Sequence, residues 1–352
     1  MLITIVAFIG ILVVLIIAHE LGHFATAKAS GVKVEEFGIG FPPRLLSIKK
    51  GETLYSLNAI PLGGFTKMAG EEDPSEPRSL ASKSIGTRLL VLSAGSLMNF
   101  LLPLLLFSIA FMVPHNILVG QVVVDEVVPS SPAAMAGIEA GDVILRVEGE
   151  PVRNASNFQR YIYLNLGKEI TLLVKHSDST TEEVLLTPLW NPPEGQEILG
   201  VTASTSHPTV INLHRPFWQA IPLGVGECIE TFVLFKNGII GMIVGTIPAE
   251  VAGPVGIAQL TGEVAKAGIS PLLEFAAFLS INLAIINILP LPALDGGRIM
   301  FVLLEWVRRG RRVPAKIEGL VHSIGFAMLM GLILIITYQD IVRIITGGSL
   351  LS

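Results

Sequence analysis

Long uncharged apolar runs alternate along this chain with stretches in which charge returns. Four of the runs approach the roughly 20 residues that a helix needs to cross about 30 Å of hydrocarbon. They cover 2–18, with predicted helix continuing to Ala29, then 89–113, 275–294 and 320–338. The third is interrupted by Pro290 and Pro292. A cleaved leader ending near Ala25-Thr26-Ala27 is the other reading of the first run, but leaders open on basic residues and none precedes Lys28. The Gly-rich segment 221–248 is also apolar, yet Glu227, Glu230 and Lys236 break it. Its longest uncharged stretch, 237–249, is too short to cross, so one or two amphipathic helices lying in the interface are predicted there.

Between 115 and 190 the period changes to the alternation of a half-buried strand. Strand is predicted over 120–128, a turn at 129–132, and a short helix to Ala136. A turn and strand over 137–149, a helix over 157–166, and strands over 169–175 and 182–186 follow. Within 34–68, the runs 44–48 and 53–58 are β-like and separated by Gly-rich corners.

Composition agrees with lipid as the solvent. Hydrophobic residues make up 51% and charged residues 15%, where soluble domains carry about a quarter charged. A formal charge of -5 gives no basic footprint for nucleic acid, and the single Cys228 forms neither an intrachain disulfide nor a Cys-rich metal site. Basic residues cluster between spans one and two and again at Arg308, Arg309, Arg311, Arg312 and Lys316, between spans three and four. The positive-inside rule puts both loops in the cytoplasm, with both termini and the segment 114–271 outside.

The candidate chemistry is His19-Glu20-Leu21-Gly22-His23. Helix positions four apart share a face, so both imidazoles can grip one zinc while Glu20 serves as base for the attacking water. HExxH alone is moderately specific, but these groups follow a 17-residue uncharged run, and ionisable groups at such depth mark a site. A catalytic zinc takes a third protein ligand. Of the other histidines, His115, His176, His207 and His214 belong to the outer segment, and His322 stands near the inner end of span four without a motif. Asp295 is better placed, directly after the broken third span, where Pro290 and Pro292 free carbonyls that need partners. An exposed Asp295 at an ordinary helix end capped by Gly296-Gly297 is the alternative.

HELGH in the first span, Asn287-Ile-Leu-Pro-Leu-Pro-Ala-Leu-Asp-Gly-Gly297 in the third, and 131–144 between them together resemble the site-2 protease family. The last of these runs resembles a PDZ domain. More narrowly, the chain is similar to the bacterial regulator-of-sigma-E protease branch, and the runs at 37–42, 61–68 and 253–257 match as well. The fold this resemblance implies is a polytopic α-helical membrane protein with four transmembrane helices, a membrane re-entrant β-structure over 34–68 and an inserted α+β PDZ domain. The expected segments are 1–113 (spans one and two), 114–200 (extracytoplasmic PDZ domain), 201–271 (interfacial helices and linker) and 272–352 (spans three and four). It further implies that His19, His23 and Asp295 bind Zn2+, that Glu20 is the catalytic base, and that Asn287 holds the substrate backbone. Gly38, Ile39 and Gly40, with Pro290 and Pro292, complete the expected substrate-binding set. Gly38 and Gly40 permit close approach, and a free edge there would pair with an unwound substrate.

Two departures stand out. There is room for one PDZ domain where the best-known members have two, and Gly95-Ser96 stands where the family often has Gly-Pro before the Asn at 99. The expected activity is zinc-dependent hydrolysis within the transmembrane segments of single-span proteins in the bacterial inner membrane. Anti-sigma factors and remnant signal peptides are the substrates the family suggests. The expected partners are those substrates, the lipid bilayer and a peptide on the PDZ domain, with no nucleic acid. The competing reading is a membrane-anchored PDZ scaffold with a vestigial metal site.

Overall fold

The computed structural model describes residues 2–71, 73–193, 198–246 and 252–346. The expected segments 114–200, 201–271 and 272–352 therefore each include a stretch (194–197, 247–251 and 347–352) outside the described residues. The chain divides into two compact units, Met1–Ala110 with Val251–Ser352, and Phe111–Glu250. The first unit opens with α1 (Leu2–Ala29), β1 (Val34–Lys50), β2 (Thr53–Met68) and α2 (Ile85–Met112). The second holds β3 (His115–Val127), α3 (Pro132–Met135), β4 (Val143–Val147), β5 (Glu150–Pro151) and α4 (Ala155–Leu164). It continues through β6 (Ile170–Lys175), β7 (Thr181–Leu186), β8 (Val201–Leu213) and α5 (Phe217–Val244). The chain then returns to the first unit with α6 (Pro254–Ala267), α7 (Ile269–Ile288), α8 (Asp295–Val307) and α9 (Ala315–Ile345).

Among the described residues four helices, α1, α2, α7 and α9, are long and apolar enough to cross a membrane. α7 stops at Ile288 because Pro290 and Pro292 bring no amide hydrogen to continue its ladder. The chain resumes as a separate helix at Asp295, so this carboxylate begins a helix instead of ending one. Gly296 explains how that is possible: a side chain there would run into the carbonyl oxygens of Ile288 and Leu289. The first turn of α8 thus sits directly on the backbone that the prolines interrupt.

Ion pairs fix the helix ends. Buried Glu305 on α8 accepts from Arg88 on α2 at 2.5 Å and from Arg312 at 3.2 Å, and Arg312 also donates to the Ala81 carbonyl at 2.6 Å. All of these groups find partners, which is the condition for tolerating buried charge. The run at 253–257 also has a physical explanation. The Gly256 amide at the start of α6 donates to buried Asp340 of α9 at 2.7 Å, and an anion is favourable at a helix N-terminus.

β1 and β2 fold back so that four arms lie side by side. Residues 34–39 run antiparallel to 64–68, and 44–50 antiparallel to 53–58, while 36–39 also neighbour 54–57 with both numbers rising together. The order across the sheet is therefore 60–68, 34–41, 53–58 and 44–50, and 60–68 is an outer arm.

In the second unit the strands run β7-β6-β4-β3-β8, with β5 beside β4. Alternating residues such as Val122, Val124, Ile144, Leu172 and Val174 meet Phe158 and Ile162 of α4 in a dry core. The boundary expected at 200 falls inside this sheet, because β8 pairs with β3 along its length from His115↔Leu213 to Val127↔Val201. The Ser/Thr-rich run around Pro208 carries too little apolar alternation to be read as a strand before its partner is known. α5 is one helix where one or two were expected, and it is tied to α4. Arg160 bonds Glu227 and Glu230 at 2.5 and 2.9 Å, and Asn237 donates to the Tyr163 carbonyl at 2.7 Å. Burial opposes charging Arg160, but the two carboxylates outweigh it and push the guanidinium pKa up.

Candidate active site

His19 and His23 stand one turn apart on α1, with their rings 4.8 Å apart and edge to face. Asp295 joins them from the first turn of α8. Its Oδ2 lies 3.2 Å from His19 Nε2 and 3.1 Å from His23 Nε2, and the two nitrogens are 3.3 Å apart. Tetrahedral zinc with bonds of about 2.0–2.1 Å separates its ligands by roughly 3.3 Å, so this triangle of two imidazoles and a carboxylate fits zinc and leaves one position open. Among the described residues it is the one group of metal-capable side chains so assembled.

Backbone and amide partners orient the rings. His23 Nδ1 lies 2.8 Å from the Val91 carbonyl, which can only accept. Nδ1 therefore carries hydrogen, which leaves Nε2, beside His19 and Asp295, as the nitrogen whose lone pair would bind a metal. Asn99 of α2 is fully buried beside His19 Nδ1 at 3.3 Å, and its Oδ1 has no hydrogen-bond partner among the described residues. If His19 Nε2 binds a metal, its Nδ1 carries hydrogen and must donate. A half-turn of the Asn99 amide then brings the orphaned Oδ1 into place as acceptor. Close approach of α2 is what makes room: a side chain at Gly95 would collide with both His19 and His23 Nε2.

Glu20 points into the same space. Its Oε2 accepts from the Thr66 hydroxyl at 2.8 Å, which anchors the carboxylate to the outer arm of the β-sheet. A cavity of about 410 Å³ is lined by His19, Glu20, His23 and Asp295 together with the 64–68 arm, Asn287 and Arg298. Arg298 pairs with Glu71 at 2.5 Å, and Glu71 also accepts the Met68 amide at the end of that arm.

Not every expected residue is here. Gly38, Ile39 and Gly40 lie one strand back and do not line the cavity. Gly38 faces Phe65 on one side and Ser56 on the other, and Ile39 faces Gly64 and Leu57, so neither has a free edge. Among the described residues, the arm with no strand on its outer side is 64–68, beside Glu20. Pro290 and Pro292 shape the loop between α7 and α8 and do not line the cavity either. Sequence reasoning gave no role to Thr66, Val91, Glu71 or Arg298 and left Asn99 open. A signal existed for Asn99 alone, as an amide among apolar residues in a span.

The comparisons with known proteins agree with this chemistry. The model of peptidase family M50 matches residues 7–332. A Clostridium perfringens relative is 39% identical over 334 residues, spanning 93% of this chain and 95% of its own. Zinc metalloprotease RasP of Geobacillus kaustophilus is 30% identical, covering 96% of this chain and 97% of that protein. Regulator of sigma-W protease RasP of Bacillus subtilis is also 30% identical, covering 97% and 99%. Among solved structures, the PDZ domain of an SdrC-like protein from Listeria innocua matches 25% of this chain at 25% identity, with a TM-score of 0.22 that is too low to bear on the fold. With the family model running through both halves of the donor triangle and zinc metalloproteases aligned end to end, the chain belongs to peptidase family M50 and is a zinc metalloprotease.

Proposed function

We propose that this protein cuts peptide bonds inside the transmembrane segments of single-span membrane proteins, in the manner of regulated intramembrane proteolysis. The observation that carries this reading is one cavity holding the His19–His23–Asp295 triangle, the Glu20 carboxylate and an outer strand arm at 64–68 beside which no further strand lies among the described residues. A transmembrane helix resists proteolysis because its carbonyls are bonded internally, and an opened strand needs new partners where water is scarce. Strand addition along 64–68 supplies them, and Asn287, which lines the same cavity, offers an amide to the same backbone. When bound by His19, His23 and Asp295, zinc supplies Lewis acidity, turning water into a nucleophile near neutral pH and polarising a carbonyl. Glu20, held by Thr66, takes a proton from the attacking water and delivers it to the leaving amine.

The proposed topology puts α1, α2, α7 and α9 across the bacterial inner membrane, with both basic loops cytoplasmic and both termini and the unit Phe111–Glu250 outside. Anti-sigma factors and remnant signal peptides are the proposed substrates. In the second unit no strand lies on the outer edge of β8 among the described residues, and a cavity of about 420 Å³ beside it is lined by Ile162 and Gln159 of α4 with Leu199 and Val201. These features support a PDZ-type groove for an extended peptide, acting as a filter against substrates with bulky outer domains.

The test is cleavage of a single-span substrate by the detergent-purified protein, with the products located by mass spectrometry. The expected cut lies within the apolar segment, disappears on chelation and returns with zinc. A cut confined to flanking loops, or indifference to the chelator, would overturn the intramembrane zinc-dependent reading. For the filter, removal of residues 115–213 should admit substrates that retain their outer domains. Undiminished rejection of them would remove that role.

A further inference from the structure

α9 is mostly unburied, yet it reaches the loop that delivers Asp295. That loop, 289–294, contains two prolines, and Ala293 is the first residue after Pro292 with an amide hydrogen. Ala293 adopts φ +75, a left-handed conformation uncommon for a residue with a side chain, which persists only where its surroundings hold it. His322 of α9 does the holding: the Ala293 amide donates to its Nδ1 at 3.0 Å. Gly325, one turn on, lets α9 approach, since a side chain there would collide with Pro292. The imidazole rests against Phe301 of α8, centroids 5.5 Å apart. Because Nδ1 accepts, the hydrogen sits on Nε2, which is buried and has no hydrogen-bond partner among the described residues. An apolar side chain would fill this space without the unmet Nε2 donor, but it would leave the Ala293 amide without its acceptor. What the imidazole adds is the acceptor, two residues before Asp295.

We propose that His322 is a positioning residue for the metal centre: by holding the Ala293 amide, it fixes the turn that presents Asp295 to His19 and His23. This rests on the assignment of those three residues as zinc ligands. The group stands outside the ligand set and touches neither metal nor substrate; it acts through the backbone.

The experiment compares zinc release to a chromogenic chelator from the purified holoenzyme and from His322→Leu, His322→Asn and Asp295→Asn. His322→Leu should release zinc roughly 10-fold faster, at the low end of the effect seen when groups outside a ligand set are removed. Its activity should return under excess zinc. His322→Asn, whose amide oxygen can take the place of Nδ1, should stay near wild type in release and activity. Wild-type release from the leucine variant, or equally fast release from both His322 variants, would overturn the acceptor role. Release from Asp295→Asn no faster than from wild type would show instead that Asp295 is not a ligand, and the proposal would go with that assignment.

Discussion

Glu20→Gln should lower the cleavage rate of a single-span substrate by roughly 10²–10⁴-fold, the range of a lost general base, while zinc stays bound. The substitution is close to isosteric, and its amide oxygen can still accept from Thr66, which now lies 2.8 Å from Glu20 Oε2. It removes only the capacity to take and return a proton. Neither the ligand triangle nor the strand edge changes, so substrate affinity should hold. Single-turnover cleavage with elemental analysis of the same preparation measures both halves of the claim. Wild-type cleavage by this variant would assign the proton transfer to another group.

Asp295→Asn should have the largest effect on the metal itself. Two neutral imidazoles and a neutral amide would leave a dication buried without its one anionic ligand, whereas the native carboxylate lies 3.1–3.2 Å from both nitrogens. Zinc affinity should fall by more than the roughly 10–100-fold typical of groups outside the ligand set, and activity should fall with it. Competition against a chelator of known affinity gives the magnitude. Unchanged zinc content with full activity would require a different third ligand.

Much of this centre is local and therefore legible. The HELGH spacing puts two imidazoles on one helix face whatever the rest of the chain does, and the absence of charge before it gives the depth. The prolines after Asn287 mark a broken helix in the same way. The position of an open strand edge is not legible in the same way. Gly38 and Gly40 look permissive, but whether a strand edge is open depends on which other arms pair with it, and 36–39 acquires a neighbour on each side. β8 belongs to its sheet for the converse reason: its register with β3 compensates for weak alternation.

Read alone, then, the chain determined its four long apolar runs, the paired histidines with their adjacent carboxylate, and the break that precedes Asp295. Only tertiary structure decided that Asp295 meets a histidine 272 positions earlier, that Asn99 and the Val91 carbonyl orient the rings, and that Thr66 holds Glu20. The division follows from range. Periodicity and i, i+4 spacing record how a residue relates to its own helix or strand. A hydrogen bond between distant segments depends on how whole elements pack, and no single stretch of sequence carries that.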